Sequence, residues 1–139
     1  MRFAVAFTAL ALFTACGCGT VAGRQNRDKG APMVLLLNES DNGRTVALHA
    51  GESLRITLPE NATTGFRWDP ERWDREVVGM IAEEPHYPAV GQVGSGGNVE
   101  FLFQARKPGV GEIILREWRP WEGEPSVIAR YRLHVEVQP

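Results

Sequence analysis

The chain has 139 residues, 43% hydrophobic and 23% charged, the proportions of an ordinary soluble globular protein and enough for one domain with a proper core rather than two. Its 15 Lys and Arg against 17 Asp and Glu give a net charge of -2. That argues against a nucleic-acid binder, whose basic excess would cluster on one face, whereas these arginines are scattered among acids.

In chain order, Met1-Arg2 supplies a minimal positive start, and Phe3 to Ala15 is an uncharged apolar run shorter than the ~20 residues that span a bilayer. Residues 1–15 therefore read as a secretory signal peptide. The segment Phe13-Thr14-Ala15-Cys16 resembles a bacterial lipoprotein box, with Phe13 where leucine is usual. The resemblance implies lipidation of Cys16, export across the inner membrane, and a membrane anchor in the periplasm or on the outer membrane of a bacterial envelope. Ordinary cleavage near Ala15, releasing a soluble protein, is the alternative. Cys16 and Cys18 are the only 2 cysteines and, one residue apart, are poorly placed to bridge each other. A disulfide framework and a cysteine nucleophile in the folded domain are thereby excluded. Residues 16–32 are polar and aperiodic and read as a flexible tether. The folded domain is expected over 33–139.

Met33 to Leu37 is a short apolar run, the first expected strand. Asn42-Gly43 signals a turn before the alternating Thr45-Val46-Ala47-Leu48-His49. Leu54, Ile56 and Leu58 then alternate with Ser53, Arg55 and Thr57, a strand with one buried face that Pro59 is expected to end. The polar loop Asn61-Ala62-Thr63-Thr64-Gly65 follows. Asn61 suits a turn that bonds its own backbone, and Gly65 can take a positive φ. Phe66 and Trp68 resume the alternation and are expected together in the core. Asp69 to Asp74 reads as a charged link, Val77 to Ala82 as another apolar run, and Pro85 to Val90 as irregular. Val93-Gly94-Ser95-Gly96-Gly97-Asn98 is a glycine-rich loop opening the strand Val99 to Ala105. Pro108-Gly109 is a turn. Ile113 and Leu115 alternate toward Trp118, Arg119-Pro120-Trp121-Glu122-Gly123 links two strands, and Tyr131, Leu133, Val135 and Val137 alternate with polar residues. No segment sustains a 3.6-residue period. The pattern predicts an all-β, immunoglobulin-like β-sandwich of about seven or eight strands.

Catalytic chemistry finds little support. His49, His86 and His134 lack ligand-like spacing to a second His, Asp or Glu, so no metal is expected, and no cofactor. No serine sits in a nucleophile-elbow context, although a dispersed triad needs only spatial convergence. The glycine loop opens a strand, not a helix, so it offers no helix N-terminus to a phosphate. Glu83, Glu84, Glu122 and Glu124 read as surface charge.

The three loops form an ordered set. Taken together they resemble the chagasin-type cysteine protease inhibitors, whose pattern is N-P-T-T-G-[YF], then G-x-G-G, then R-P-W. The resemblance runs from about Thr45 to the C-terminus, with Ala62 standing where the family has proline. It implies that the loops emerge side by side and fill the active cleft of a papain-like cysteine protease reversibly, with no bond made or broken. By the same resemblance Asn61, Ala62, Thr63, Thr64, Gly65 and Phe66 form the central loop, with Thr63 and Thr64 at its tip. Gly94, Ser95, Gly96 and Gly97 would lay their backbone along the nonprimed subsites, and Arg119, Pro120 and Trp121 would reach the primed side. Trp121, exposed among charged neighbours, is the expected anchor. The implied protein is a monomeric inhibitor rather than an enzyme. A second reading is an envelope β-sandwich that binds a glycan or another non-protease partner, with Trp121 and Tyr87 stacking on sugars.

Overall fold

The computed structural model describes residues 33–88 and 96–139. The signal and tether segments, the lipidation expected at Cys16, and Gly94 and Ser95 of the glycine loop lie outside the described residues. Eight strands form: β1 (Val34–Asn38), β2 (Thr45–His49), β3 (Ser53–Glu60), β4 (Arg67–Trp73), β5 (Val78–His86), β6 (Gly97–Ala105), β7 (Gly109–Trp118) and β8 (Ala129–Gln138). They build two four-stranded sheets, ordered β1-β3-β6-β5 and β2-β8-β7-β4. No helix among the described residues is long and apolar enough to cross a membrane.

Alternation sets the core. In β8, Tyr131, Leu133, Val135 and Val137 are buried while Arg132, His134, Glu136 and Gln138 are exposed. Leu54, Ile56 and Leu58 of β3 and Val99, Phe101 and Phe103 of β6 meet them from the facing sheet. Trp68 is buried in this cluster, as expected, and Trp73 packs edge-on against Phe103 at 6.1 Å.

Four expectations need correction. Phe66 does not share the core with Trp68; it precedes β4, half-buried at the surface, because Gly65 at φ 79 breaks the alternation before the strand begins. Pro59 does not end its strand. Pairing with β1 stops at Thr57, whereas Pro59 and Glu60 still pair with Asn98 and Gly97 of β6, so a residue without N–H fits the unpaired side. Nor is 69–74 a mere link, since β4 runs through it as an edge strand with its register shift at Pro70. Likewise β5, also an edge, continues through Pro85 to His86.

Topology gathers the roots of the three loops at one end of the sandwich. Because β3 is antiparallel to β6 and β6 to β5, the end of β3 lies beside the β5–β6 connection. Because β7 is antiparallel to both β4 and β8, the start of β4 lies beside the β7–β8 connection.

Candidate functional site

The central loop is a single 3-10 turn, Ala62–Thr64, with Asn61 as its N-cap. Asn61 Oδ1 accepts the Thr63 N–H at 3.1 Å and the Thr63 hydroxyl at 2.6 Å, and the Thr64 hydroxyl donates to Asn61 O at 2.7 Å. These local bonds fix the backbone without a proline at position 62. Gly65 closes the turn in the left-handed region, φ 79.

The β7–β8 loop is bound to it. Arg119 donates through Nη2 and Nε to Thr64 O, at 3.1 and 3.3 Å, and its guanidinium stacks 4.4 Å above the Phe66 ring. Glu122 holds a third nitrogen, Nη1, at 3.1 Å. Trp121 lies over Gly65 so closely that a Cβ there would meet Cη2 at 2.6 Å and Cζ2 at 2.9 Å. Glycine at 65 thus serves both the backbone turn and the seat of the indole. Trp121 nevertheless remains 68% exposed, and Thr63, Thr64 and Pro120 also face solvent. The loop's own brace is Ser126, whose Oγ accepts the Arg119 N–H at 3.0 Å and donates to Gly123 O at 2.6 Å. The result is a projecting edge with two threonines and one indole at its crest. Sequence reasoning brought these two loops together but missed the stack of Arg119 on Phe66 and the bracing by Ser126.

On the other side stand the stems of the glycine loop. Gly97 is already in β6, and a Cβ on it would approach His86 O to 2.5 Å and Tyr87 Cδ1 to 2.6 Å. Gly96, by contrast, has nothing nearer than Glu60 O at 3.8 Å and no positive φ, so nothing in its own fold requires glycine. Glu60 is 4% exposed, accepting the Trp68 N–H at 2.8 Å and the Tyr87 hydroxyl. Burial, then the bond to Glu60 and its charge, push the Tyr87 phenol above its ordinary range. Burial chiefly, with the charge of Glu60 next, raises the Glu117 carboxyl on β7. Glu60 carried no sequence signal, because its partners lie on other strands.

Metal ligation has one geometric candidate among the described residues. Glu84, His86 and Glu100 bring possible ligand atoms within 4.8 Å of one another. Glu84 and Glu100 oppose each other directly across β5 and β6, but Arg55 Nε stands 3.6 Å from Glu100, so a cation of the protein itself offsets the like charges. His49 and His134 are exposed on other strands.

Comparison with known proteins bears on this geometry directly. Chagasin of Trypanosoma cruzi is 28% identical over 105 residues, covering 73% of this chain and 96% of its own length. The cysteine protease inhibitor EhICP2 from Entamoeba histolytica superimposes with a TM-score of 0.67 at 21% identity, over 76% of this chain and 96% of that one. PbICP-C, solved in complex with falcipain-2, gives a TM-score of 0.57 at 18% identity, over 78% of this chain and 93% of its own. The sequence profile of the Chagasin family peptidase inhibitor I42 matches residues 47–135, a span that contains all three loops and the strands that carry them, and the chain belongs to that family.

Proposed function

We propose that the domain inhibits papain-like cysteine proteases reversibly and without covalent chemistry, by seating loops 61–66, 94–97 and 119–121 in the active-site cleft. The observation that carries this reading is the union of two loops into one edge, with Arg119 bonded to Thr64 O and Trp121 resting on Gly65 while 68% exposed. An indole held in place by its own fold and still open to a partner has little freedom left to lose on binding. Gly96 adds support, because its missing side chain answers no need of the fold and suits close backbone approach to a cleft. The solved complex of a fold relative with a protease is consistent with this. A glycan-binding role is less favoured by Tyr87, whose hydroxyl is already engaged by Glu60.

The test is titration of papain, a cathepsin L-like and a cathepsin B-like protease with the purified protein. Tight inhibition without cleavage of the protein is expected, and a standard-size interface supports Kd values around nanomolar, about -12 kcal/mol. Activity left intact at micromolar protein in all three would overturn the reading.

We further propose that Cys16 is lipidated and anchors the domain to a bacterial envelope membrane through residues 16–32. The support is the apolar run that stops at Thr14-Ala15-Cys16. Cys16→Ser should lose the acyl mass and leave the membrane fraction; identical soluble products from both forms would refute the anchor.

A further inference from the structure

Glu60 is the buried carboxyl least explained by stability. It is 4% exposed, and no Lys or Arg pairs with it among the described residues. Its charge also bears on two further carboxyls, Glu83 of β5 and Glu117 of β7, and the nearby Arg67, whose charge bears on Tyr87, makes no ion pair with it. A buried carboxyl without a cation is costly, and an apolar side chain would fill the space at less cost. What Glu60 does have is two donors from two different segments, the start of β4 and the residue after β5. Its Oε2 takes the Trp68 N–H, just beyond the central loop, at 2.8 Å, and its Oε1 takes the hydroxyl of Tyr87, directly after β5.

Tyr87 is in turn locked onto the opposite stem. Its ring occupies the space where a side chain at Gly97 would be, with Cδ1 2.6 Å from that notional Cβ. Gly97 pairs by its backbone with Glu60 across β3 and β6. Three residues therefore close a circuit: the root of the central loop, the exit of β5 and the start of β6.

We propose that Glu60 and Tyr87 are a positioning pair for protease binding, fixing both stems of the β5–β6 connection against the root of the central loop before the protease arrives. This rests on the inhibitor reading given above. The carboxylate and the hydroxyl meet between the loops, so they act through what they hold and not by touching the protease. Arg119 and Trp121 bind the third loop to the central one by separate contacts. The pair thus supplies the remaining tie among the three, and losing it should cost affinity through lost preorganisation while leaving the fold intact.

The experiment uses the full chain and three variants. Tyr87→Phe keeps the ring on Gly97 and removes only the hydroxyl. Glu60→Gln is the conservative rescue, because its amide can accept from Trp68 and donate to the Tyr87 oxygen. Tyr131→Phe removes the other of the 2 tyrosines, so tyrosinate absorbance then reports Tyr87 alone. In the Tyr131→Phe background, adding Glu60→Gln should lower the midpoint of Tyr87 ionisation, whether or not a protease is present. Against papain, Tyr87→Phe should weaken inhibition about tenfold, because stems no longer held in place must be ordered when the protease binds. Its Tm should fall by several degrees, because Glu60 Oε1 loses a buried donor, yet the protein should stay folded at the assay temperature. Glu60→Gln should stay within about threefold of the parent, since it keeps the geometry. Unchanged inhibition by Tyr87→Phe, or no shift of the Tyr87 midpoint on Glu60→Gln, overturns the pair. So does a Tyr87→Phe loss that the fraction unfolded at the assay temperature fully accounts for. Failure of the unaltered protein to inhibit any papain-like protease is a separate result, read on the parent alone, and removes the inhibitor reading together with the pair's role in it.

Discussion

Replacing Trp121 by alanine separates an anchor from a core residue. The side chain is 68% exposed, so of about 250 Å² of tryptophan surface roughly 170 Å² is free for a partner to cover. At about 25 cal/mol per Å² this corresponds to about 4 kcal/mol. Association realises only part of it, because ordering and polar desolvation oppose binding, so about 2–3 kcal/mol is the expected loss. That is roughly 30- to 150-fold in Ki, expressed chiefly as faster dissociation. The covered third of the ring rests on Gly65, not in the core. Unfolding should therefore lose only about 1 kcal/mol, a few degrees in Tm for a domain of this size. The assay pairs progress-curve inhibition of papain with a thermal melt of the same samples. A variant that melts more than about 10 °C early yet keeps its affinity while folded would refute the reasoning, because the indole would then be holding the fold together.

Three more outcomes follow from the same contacts. Gly97→Ala should lower the Tm by several degrees, because its Cβ meets the His86 carbonyl oxygen at 2.5 Å, whereas Gly96→Ala, with nothing nearer than 3.8 Å, should melt like the parent; equal melts would show that Tyr87 does not sit on Gly97. The Glu117 carboxyl is raised mainly by burial, so its contribution is fully present below its unfolded pKa of about 4.3 and is lost as pH rises through the folded value. Glu117→Gln should thus raise the Tm at pH 7 by about 1–2 °C and have no benefit at pH 4, as differential melts would record. The buried Tyr131 hydroxyl has no hydrogen-bond partner among the described residues, and burial pushes its phenol up to about 12. Its contribution is intact below pH ~10 and lost above it, by up to about 3 kcal/mol near pH 12. Tyr131→Phe should be neutral or stabilising at pH 7 and should flatten that alkaline decline in denaturant titrations.

Most of the sandwich was legible because alternation is a local property. Tyr131, Leu133, Val135 and Val137 announce a half-buried strand wherever they fold, and the three loops were visible as an ordered motif set. What escaped was decided by neighbours. Pro59 reads as a strand end and Asp69 to Asp74 as a charged link, yet Pro59 and Pro70 each sit where one side of the strand has no partner, and which strands are edges is a matter of topology. Phe66 was assigned to the core by counting two residues back from Trp68, a count that assumes continuous strand through Gly65 at φ 79. Glu60 and Tyr87 are 27 positions apart and belong to no motif. Only the β3–β6–β5 pairing brings them together.

The parallel pairing of β1 with β3 also decides how the molecule can be mounted. Val34 pairs with Ser53 at the start of β3, while the loops leave from its far end at Glu60. The 8 residues of β3 put about 25 Å between the two poles. The C-terminus falls at the same pole as Val34, since Gln138 pairs with His49 and Ala129 with Glu117. A coupling made at Met33 itself therefore meets the base of the sandwich, with the indole at the opposite pole. A support joined there would leave the pole that carries Thr63, Thr64 and Trp121 open to solvent.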